Sequence, residues 1–587
     1  MRWFQSLSPE EMPGYEFSFA ASHSGLDQRT LRTALHSVVA TADAMRRIRR
    51  ERPDIVHVLV GPRGSLMRKA RVARCAANVG SRVVVHLHTG DIDRTLMGEP
   101  GPDAPQRRVA KLMRSASVVA TLWRGPRAGM RTFAPNALWR VMANALPDTP
   151  EPDPSAPRDI DVLFAGRIGL EKGAPMLVHI AEALAATGRR ISVAGALETD
   201  GVEAYEALSA AENVDMLGWL EPDDLKVVLR RSRLLVMPSL AESLPIIALE
   251  AMAAGCVVVA SPLSALPELL ADGRGECVTG GSAEWNSAVL SLLDDPERMA
   301  RMAKASVRHT RECYGREGVL KQLRSVYAAS QLDRLPAAHR AGRVDILGHG
   351  VDAVTLDEAV DRALSAVASG RGGECVNANA ATLVGLRASH VLRVAFRDPL
   401  LSLADGASVV WASRQLKRPL PERVGGIDFA AALMARCAKE GIPVFLLGAH
   451  PITLDGAVGW ALAQYPELRI AGVRDGYYED PDEVAATIRD SGARVLIVGM
   501  TSPMADGFCV QFAEELQGIV TVVVGGSFEV WAGNVKRAPV WVRHIGMEWF
   551  YRLVQEPRRL MWRYASTNTI FVARVFRDAL SQMCGRG

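Results

Sequence analysis

The sequence lacks the features of a membrane-spanning or disulfide-stabilised chain. Among its 587 residues, no apolar run approaches the roughly 18–20 residues that span a bilayer. The first residues, MRWFQSLSPEEMPGYEF, also lack the long apolar core of a signal peptide. The eight cysteines lie far apart without a CxxC pair, which indicates a reducing compartment, and Cys256 and Cys375 stand in apolar surroundings typical of a core. These absences predict a cytoplasmic protein.

Charge of one sign and metal-binding patterns are also scarce. The chain has 69 Lys and Arg against 65 Asp and Glu, a net charge of +4, so no global binding to a polyanion is implied. No Cys/His cluster has zinc spacing, and we expect neither a metal nor a cofactor. No GxGxxG fingerprint follows the first strand of a βαβ unit, which argues against a nucleotide-sugar epimerase with a bound dinucleotide.

The apolar pattern predicts an α/β protein of several lobes. Short β-branched runs such as DIVHVLV and SRVVVHLHT alternate with longer amphipathic stretches, as in βα units around a parallel sheet. At about 150 residues per domain, the length suggests about four lobes. Proline-rich or polar stretches at 146–159 and 331–343 predict linkers. The predicted parts are a first lobe at 1–145, a second at 160–330, a third α/β domain at 344–535 and a basic helical tail at 536–587.

The most informative stretch of the first half is PSLAESLPIIALEAMAAG, residues 238–255. A predicted strand leads into a loop with Glu242. Pro245 is placed to open a helix, Glu250 follows within two turns, and Gly255 is placed to end the helix. A helix N-terminus offers N–H groups and a positive dipole end to a diphosphate, and a carboxylate such as Glu250 accepts hydrogen bonds from sugar hydroxyls. Taken alone, two glutamates on a helix are usually a solvated face.

Two motifs in the correct order favour a functional interpretation. Glu242 and Glu250 match the paired-glutamate motif of glycosyltransferase family 4, and FAGRIGLEKG upstream resembles that family's phosphate-contacting strand and turn. The resemblance implies a GT-B fold, a pair of Rossmann-like lobes with the donor bound by the second, and retention of anomeric configuration. It places Arg167 and Lys172 beside the donor's diphosphate, where cations stabilise a leaving nucleotide without a metal. It gives Glu242 a catalytic role and Glu250 a substrate-binding role.

The first lobe, on the expected acceptor side, has weaker signals. HLHTGDID follows a predicted strand, and the family often has a histidine near this place that contacts the transferred sugar. His88 is therefore a candidate contact, with His86 and Asp91 beside it, and a buried structural histidine is an equally good explanation for each. The residues before Asp54 lack the family's opening strand and glycine-rich loop. Either the start is truncated or the lobe is degenerate.

The second half, from about Val344, contains a series of distinctive segments: ECVNANAATL, LADGASVVWASR, ERVGGIDF, VVVGGSFEVWAGNVKRAPVW and GMEWFYRLVQEPRRLMWRY. With these segments it resembles the WecG/TagA/CpsF glycosyltransferase family throughout. Family members transfer an N-acetylmannosamine-type sugar from UDP to a polyprenyl-diphosphate-linked sugar with inversion. Such a displacement needs a base to take the proton of the acceptor hydroxyl.

The resemblance assigns roles residue by residue. Asp405 matches the family's proposed catalytic aspartate, although an isolated Asp-Gly is usually only a turn. Asn379 would orient hydroxyls, Asn377 stands where the family often has Thr, and Arg423 is a candidate for the nucleotide-sugar side. Gly525 and Gly526 are further candidates for the nucleotide-sugar side. The two glycines are explained equally well if they only end a strand. A second departure is Pro503-Met504-Ala505-Asp506 in place of Pro-Lys-Gln-Glu; it indicates either another donor or weakened catalysis.

The C-terminal tail combines basic and aromatic residues. Between residues 536 and 577 there are nine Lys or Arg and two Glu, with aromatic residues interleaved. This composition suits an anionic membrane interface, and the family's tail is thought to contact the lipid diphosphate. Arg552, Arg558 and Arg559 are the candidates for binding it bidentately. A packed helical hairpin is the alternative, and nucleic acid is not expected because no recognition motif accompanies the basic stretch.

These observations predict a bifunctional glycosyltransferase on the inner face of the bacterial cell membrane. Each half would use a nucleotide sugar, a UDP-N-acetylmannosamine-like donor in the C-terminal half, to extend a polyprenyl-diphosphate-linked glycan of an exopolysaccharide or cell-wall polymer. Fusion would raise the concentration of the intermediate at the second site. In the alternative, only the C-terminal half is catalytic and the N-terminal half is a binding or scaffolding module. An oligomer is left open.

Overall fold

The computed structural model describes residues 2–20, 31–61, 66–88, 110, 112–125, 134–153, 156–334, 342–539, 542, 548–555 and 557–584. The chain divides into two compact units. The first comprises Met1–Arg108, Ala120–Pro126 and Arg140–Ala328, and the second comprises Val109–Val119, Arg127–Trp139 and Ala329–Gly587. Within the described part, no helix is long and apolar enough to cross a membrane.

The N-terminal region has helices before its first strand. Helices α1 (Arg2–Gln5), α2 (Leu31–Glu51) and α3 (Leu66–Asn78) accompany a four-stranded sheet in the order β1-β2-β3-β4. Its strands are β1 (Ile55–Val60), β2 (Arg82–Leu87), β3 (Val118–Thr121) and β4 (Leu138–Val141). Strands β1 and β2 run parallel. Among the described residues before Ile55 there is no strand, as the sequence predicted.

A second, six-stranded sheet follows in the order β10-β9-β8-β5-β6-β7, and all its pairings are parallel. Its strands are β5 (Ile160–Ala165), β6 (Ile191–Ala194), β7 (Val214–Gly218), β8 (Ser232–Met237), β9 (Val257–Ala260) and β10 (Glu276–Cys277). The helices are α4 (Ala174–Ala185), α5 (Val202–Ala210), α6 (Pro222–Arg231), α7 (Ile246–Ala253), α8 (Leu266–Leu270), α9 (Ser282–Leu293), α10 (Pro296–Tyr314) and α11 (Arg316–Gln331). Successive residues of β5 enter two different apolar clusters, because both faces of a parallel sheet are covered by helices.

The second unit contains an antiparallel hairpin, β11 (Arg343–Ile346) and β12 (His349–Asp352), and a six-stranded parallel sheet in the order β14-β13-β18-β17-β15-β16. The strands of the sheet are β13 (Gly373–Ala378), β14 (Leu401–Ala404), β15 (Val444–Gly448), β16 (Ile470–Arg474), β17 (Val495–Gly499) and β18 (Val520–Val523). Both halves therefore confirm the predicted α/β class.

Eleven helices of this unit have described bounds. They are α12 (Leu356–Ala368), α13 (Ala380–Gly385), α14 (His390–Ala395), α15 (Ala407–Gln415), α16 (Gly426–Glu440), α17 (Pro451–Gln464), α18 (Pro481–Asp490), α19 (Met504–Gln511), α20 (Ser527–Trp531), α21 (Glu548–Gln555) and α22 (Pro557–Cys584). The predicted linker 331–343 begins with a 3-10 turn. In that turn the buried Asp333 carboxylate accepts a hydrogen bond from Arg393 Nε at 2.5 Å. The first residues after α11 are thus packed against α14.

Strand β14 forms one edge of the six-stranded sheet of the second unit, and a charged side chain covers part of that edge. The backbone N–H of Ser402 donates to Asp352 Oδ2 at 2.8 Å. Asp352 is 3% exposed and lies within ion-pair distance of Arg343 (3.2 Å) and Arg362 (3.3 Å). A buried carboxylate with two cations and a backbone donor is well satisfied, so the N–H of Ser402 is paired by a side chain of the hairpin strand β12 and not by a backbone carbonyl.

The long helix α22 is anchored by its middle part. Phe571 and Val575 are fully buried in an apolar cluster that also contains residues of α13 and α15. Directly after Val575, Phe576 is 50% exposed and meets the ring of Trp411 edge-on, and Leu580, one turn later, is 59% exposed. The tail therefore has one packed face and one apolar face open to solvent.

Candidate active sites

Two loops of the first half meet at the carboxyl edge of the second sheet. Lys172 follows β5 and Glu242 follows β8, and Lys172 Nζ donates to Glu242 Oε1 at 2.6 Å. Ser239 Oγ donates to the same oxygen at 2.9 Å, and the backbone N–H of Leu240 donates to the carbonyl of Glu171 at 2.8 Å. The structure thus brings together two of the residues singled out in the sequence, and each is largely shielded from solvent.

Gly173 explains why these loops approach so closely. Its φ is +78°, and an added Cβ would lie 2.1 Å from the carbonyl oxygen of Pro238. Only glycine combines a left-handed backbone with room for the neighbouring chain. The last glycine of the FAGRIGLEKG motif therefore allows the turn with Lys172 to pack against the loop that carries Glu242.

Arg167 has a different neighbourhood from Lys172. Its guanidinium contacts Glu198, which follows β6, and lies 3.8 Å from Glu171. About half of its side chain is exposed. Both predicted diphosphate-binding cations of this half are therefore paired with carboxylates, each on a different loop of the same sheet edge.

Helix α7 begins after Pro245 and carries Glu250 in its second turn. Burial raises the pKa of Glu250, and the charge of Lys226 opposes that rise. After α7, Gly255 adopts a φ of +78°, the left-handed conformation that commonly terminates helices. The sequence-based interpretation of Pro245 and Gly255 as helix boundaries is confirmed.

His88 belongs to a chain of hydrogen-bonded histidines at the end of β2. His86 Nε2 lies 2.8 Å from the carbonyl oxygen of Met142, and His86 Nδ1 lies 3.2 Å from His88 Nε2. Because a carbonyl only accepts, neutral His86 carries its proton on Nε2, and His88 donates through its own Nε2. Burial lowers the pKa of His88 to about 4 and that of His86 well below its usual value, so both rings are neutral near pH 7.

One neighbour of His88 was not expected from the sequence. The side chain of Asn144 opposes the lowering of the pKa of His88, and its Nδ2 donates to the carbonyl of Leu244 at 3.2 Å. Asn144 therefore links the histidine to the loop that carries Glu242. No motif around Asn144 marks it, and only the fold brings it near. The third candidate of this segment, Asp91, lies outside the described residues.

Asp405 lies at the carboxyl end of β14, where the sequence predicted a functional loop. Its backbone N–H donates to the carbonyl of Ala378 at 3.0 Å, and its Oδ1 accepts from the backbone N–H of Gly426 at 3.3 Å. Gly426 is the first residue of α16. A helix N-terminus stabilises a nearby carboxylate, so the chain supplies Asp405 with a complementary partner.

Asn377 braces the strands beneath this loop. Its Nδ2 donates to the carbonyl of Val523 at 2.5 Å, which joins β13 to β18. An added Cβ on Gly426 would lie 2.6 Å from the same nitrogen. Asn377 is thus packed under the start of α16. Its Oδ1 is buried without a partner among the described residues, and so retains the capacity to accept a hydrogen bond.

Asn379 caps helix α13. Its Oδ1 accepts from the backbone N–H of Thr382 at 3.0 Å, and Thr382 Oγ1 lies 2.9 Å from the backbone nitrogen of Asn379. Since this capping box engages the amide oxygen, the group that Asn379 can offer to a substrate is its NH2. Gly406, with φ +151°, lies against the Asn379 side chain and connects it to the Asp405 loop.

Arg423 belongs to a closed ring of four charged side chains. It donates from Nη1 to Glu548 Oε2 at 2.8 Å and from Nη2 to Asp428 Oδ2 at 3.1 Å. Arg537 donates to both oxygens of Asp428 at 2.7 Å, and its Nε lies 3.6 Å from Glu548 Oε1. Burial lowers the pKa of Arg423, but Glu548, Asp405 and Asp428 raise it by more. Sequence reasoning missed Arg537 and Glu548, although both lie in motifs quoted for the resemblance.

Two glycines and three arginines remain among the predicted contact residues. Gly525 follows β18 with φ +56°, and Gly526 caps the five-residue helix α20. An added Cβ on either glycine would meet nothing within 4 Å, so both border open space. Arg552, Arg558 and Arg559 lie in α21 and α22, and their side chains fall outside the described part of the chain.

The segment that departs from the family pattern is buried. Ala505 is fully buried in an apolar cluster and Asp506 is 3% exposed. Burial raises the pKa of Asp506, and burial together with the charge of Asp506 raises the pKa of Glu374 well above its usual value. Glu374 Oε1 and Asp506 Oδ2 have no hydrogen-bond partner among the described residues. Two neighbouring buried carboxyls favour protonation of at least one of them.

This carboxyl pair gives folding stability a defined pH dependence. A folded-state pKa raised above the unfolded value of about 4.3 means that the folded chain binds the proton more tightly. The resulting stability is fully present below that pH and is lost as the pH rises through the folded-state pKa of Glu374. Glu374→Gln, which needs no proton, should show a smaller fall in the urea midpoint from about pH 5 to about pH 8. Glu514→Gln, at an exposed position, is the control; an equal fall in Glu374→Gln would contradict the prediction.

Comparisons with known proteins agree with the two halves. Residues 344–585 match the model of the glycosyl transferase WecG/TagA/CpsF family, and residues 148–309 match that of glycosyl transferases group 1. A curated relative is 35% identical over 162 residues, which are 28% of this chain and 62% of its own length. It is the N-acetylglucosaminyldiphosphoundecaprenol N-acetyl-beta-D-mannosaminyltransferase of Bacillus subtilis (strain 168). The chain therefore spans less than two thirds of this relative.

Solved structures resemble part of the chain more distantly. Anabaena HepE in complex with UDP is 18% identical with a TM-score of 0.41, and the match covers 50% of this chain and 84% of that one. Sucrose-phosphate synthase from Thermosynechococcus elongatus is 17% identical with a TM-score of 0.42, and the match covers 52% of this chain and 81% of that one.

The two family matches occupy separate regions in the predicted order. The matches support a fusion of a group 1 glycosyltransferase module, at residues 148–309, with a WecG/TagA/CpsF family module, at residues 344–585.

Proposed function

We propose that the chain is a bifunctional glycosyltransferase in which each module transfers one sugar from a nucleotide-sugar donor to a polyprenyl-diphosphate-linked glycan. The observation that carries the proposal is the placement of Asp405. It lies at the carboxyl end of β14, beside the N-terminus of α16 and next to the Arg423 ring. In parallel α/β sheets, substrates bind outside the carboxyl ends of the strands.

In the C-terminal module, Asp405 acts as the general base. Its carboxylate accepts the proton of the acceptor hydroxyl while that oxygen attacks the anomeric carbon of the donor sugar. The bond from the anomeric carbon to the nucleoside diphosphate breaks on the opposite face, which inverts the configuration. Cations near the leaving diphosphate stabilise its developing charge, and Arg423, on which the charge of Asp405 acts, is the candidate for this role. Asn379 offers its NH2 to a sugar or acceptor hydroxyl.

In the N-terminal module, the edge of the second sheet is the donor site. Lys172 and Glu242 are held together there, and Glu250 lies on α7, the helix that follows the Glu242 loop. A diphosphate would compete with Glu242 for Lys172, and the partly buried carboxyl of Glu250 would accept hydrogen bonds from donor hydroxyls. His88, neutral and hydrogen-bonded to His86, would contact the transferred sugar as a hydrogen-bonding group rather than as a charge.

The acceptor is proposed from the curated relative, whose name specifies N-acetylglucosaminyldiphosphoundecaprenol and an N-acetylmannosaminyl donor. A polyprenyl chain lies in a membrane, so the enzyme would act at the inner membrane surface. The open apolar face of the tail supports such an association: Phe550, Val554 and Leu580 are 48%, 66% and 59% exposed. Aromatic and aliphatic side chains among basic residues favour an anionic interface. We place the product in exopolysaccharide or cell-wall polymer synthesis.

A donor screen tests the bifunctional proposal. Purified full-length protein, Glu250→Ala and Asp405→Asn are each incubated with a panel of nucleotide sugars and a polyprenyl-diphosphate-linked acceptor. We expect two donors to be consumed, with each variant losing a different one, because the two sites belong to separate modules. Glu212→Ala, at an exposed position of the second lobe, is the control and should keep both reactions.

One observation supports the alternative that the N-terminal module only binds or docks. Both of its candidate cations, Arg167 and Lys172, are already paired with carboxylates. In that case one donor is consumed, Asp405→Asn alone loses it, and Glu250→Ala transfers at the normal rate. That outcome would overturn the bifunctional proposal and leave a single reaction in the C-terminal module.

A further inference from the structure

The Arg423–Asp428–Arg537–Glu548 ring is built from separate parts of the second unit. Asp428 lies in the first turn of α16 and Glu548 is the first residue of α21. The side chains of all four residues are between 15% and 28% exposed. Partial burial strengthens charge interactions relative to the surface, so the ring is a specific association rather than a set of solvent-exposed pairs.

The ring has a charge balance that is unfavourable for a diphosphate. Its two guanidiniums are offset by two carboxylates, and the Asp405 carboxylate acts on Arg423 as well. An incoming diphosphate would therefore meet three negative groups around two positive ones. Loss of one carboxylate from the ring would make the same place attractive to an anion, because two arginines can then offer forked donors to phosphoryl oxygens.

Of the two ring carboxylates, Glu548 makes fewer close contacts with the arginines than Asp428 does. Asp428 is fixed at the start of α16, and Arg537 contacts both of its oxygens. Glu548 lies on a tail helix and makes one close hydrogen bond in the ring, to Arg423, with its second oxygen 3.6 Å from Arg537. Its two oxygens thus face the two guanidiniums in the way that two phosphoryl oxygens would.

We propose that Arg423 and Arg537 form a diphosphate-binding pair for which Glu548 is an internal competitor, so that diphosphate binding breaks the contacts of Glu548, the first residue of α21, with both arginines. The inference rests on the proposed function, since it names the ligand class at that same site. Both a nucleoside diphosphate and a polyprenyl diphosphate carry the required group. The contact between Glu548 and Arg423 couples occupancy of this pair to the position of the tail helix.

Hydrogen–deuterium exchange of the full chain titrated with UDP tests this inference locally. Protection of the peptide covering residues 420–430 reports binding at Arg423 apart from any UDP bound in the N-terminal module. We expect Glu548→Gln to lower the UDP concentration for half-maximal protection by about tenfold, because the charged hydrogen bond no longer competes. UDP should also raise exchange in residues 548–555 of the unsubstituted protein. Glu479→Gln, at an exposed position, should behave like the unsubstituted protein.

A second arm uses farnesyl diphosphate in detergent in place of UDP. If only this lipid raises exchange in residues 548–555, the inference holds and the diphosphate comes from the acceptor side. Equal half-maximal concentrations in Glu548→Gln and the unsubstituted protein would overturn the competition. Absence of protection by either diphosphate in both proteins would overturn the site. Sugar transfer in the donor screen, measured separately, shows whether the proposed function survives that result.

Discussion

Asp405→Asn should lower sugar transfer by the C-terminal module by at least about a hundredfold, the lower range for loss of a general base. An amide cannot take the proton of the acceptor hydroxyl as it attacks. The substitution keeps the shape of the side chain and an oxygen that accepts from the Gly426 N–H, which lies 3.3 Å from Asp405 Oδ1. The loss should therefore appear in the rate of transfer and not in the folded structure.

Single-turnover transfer from the donor identified in the screen measures this effect, together with the thermal unfolding midpoint. Asp455→Asn is the matched control, since it makes the same chemical change at an exposed position on α17. Near-normal turnover by Asp405→Asn would remove Asp405 as the base. Restored transfer at higher pH would also point to another group as proton acceptor, because an asparagine does not titrate in that range.

Phe571→Ala is expected to destabilise the second unit by about 3–5 kcal/mol, the range for removing a buried phenylalanine. The ring is fully buried between α22 and the helices α13 and α15. Truncation removes apolar burial and leaves a cavity that neighbouring side chains fill only in part. Because this residue anchors the middle of α22, the loss should also increase exchange along the tail.

Phe576→Ala offers a matched control on the same helix. Its ring is 50% exposed, so the same truncation should cost much less, about 1 kcal/mol or less. Denaturant midpoints of the two variants give the comparison, and equal losses would show that Phe571 does not anchor the tail. Sedimentation with anionic vesicles tests the proposed membrane contact of the tail. Phe576→Ala should weaken vesicle binding, and unchanged binding would count against membrane contact through this face.

Local features of the fold were predictable because they depend on neighbouring residues. The apolar run IVHVLV forms β1, and Pro245 and Gly255 bound α7, because strand periodicity and helix-end preferences act over a few residues. Cys256 and Cys375 are fully buried, as their apolar surroundings indicated. The absence of a strand among the described residues before Ile55 was also expected.

The partners of the site residues were not predictable in this way. The sequence identified Lys172 and Glu242 as separate functional residues, but their ion pair depends on the folding of two loops 70 residues apart. Arg423 and Glu548 are 125 residues apart and meet only through the tail. Motifs report which chemical groups are present, whereas pairing depends on long-range packing.

Asn379 shows a related limit. The resemblance supports a role with substrate, and the structure adds that its oxygen caps α13. A capping pattern with Thr382 three residues later was present in the sequence, so this signal could have been found. The two roles are compatible because the side-chain amide has an oxygen and an NH2 group. The cap uses the oxygen and leaves the NH2 group available.

The covered edge of the six-stranded sheet in the second unit bears on aggregation of the protein at high concentration. An unpaired edge strand is a template on which another chain can add a strand, and proteins resist this aggregation by placing charge at such edges. At β14 the buried Asp352 occupies the backbone N–H of Ser402, and Arg343 and Arg362 surround that carboxylate. An approaching strand would have to displace a charged cluster to add itself there. We therefore expect Asp352, together with its two arginines, to oppose the addition of a further strand at this edge.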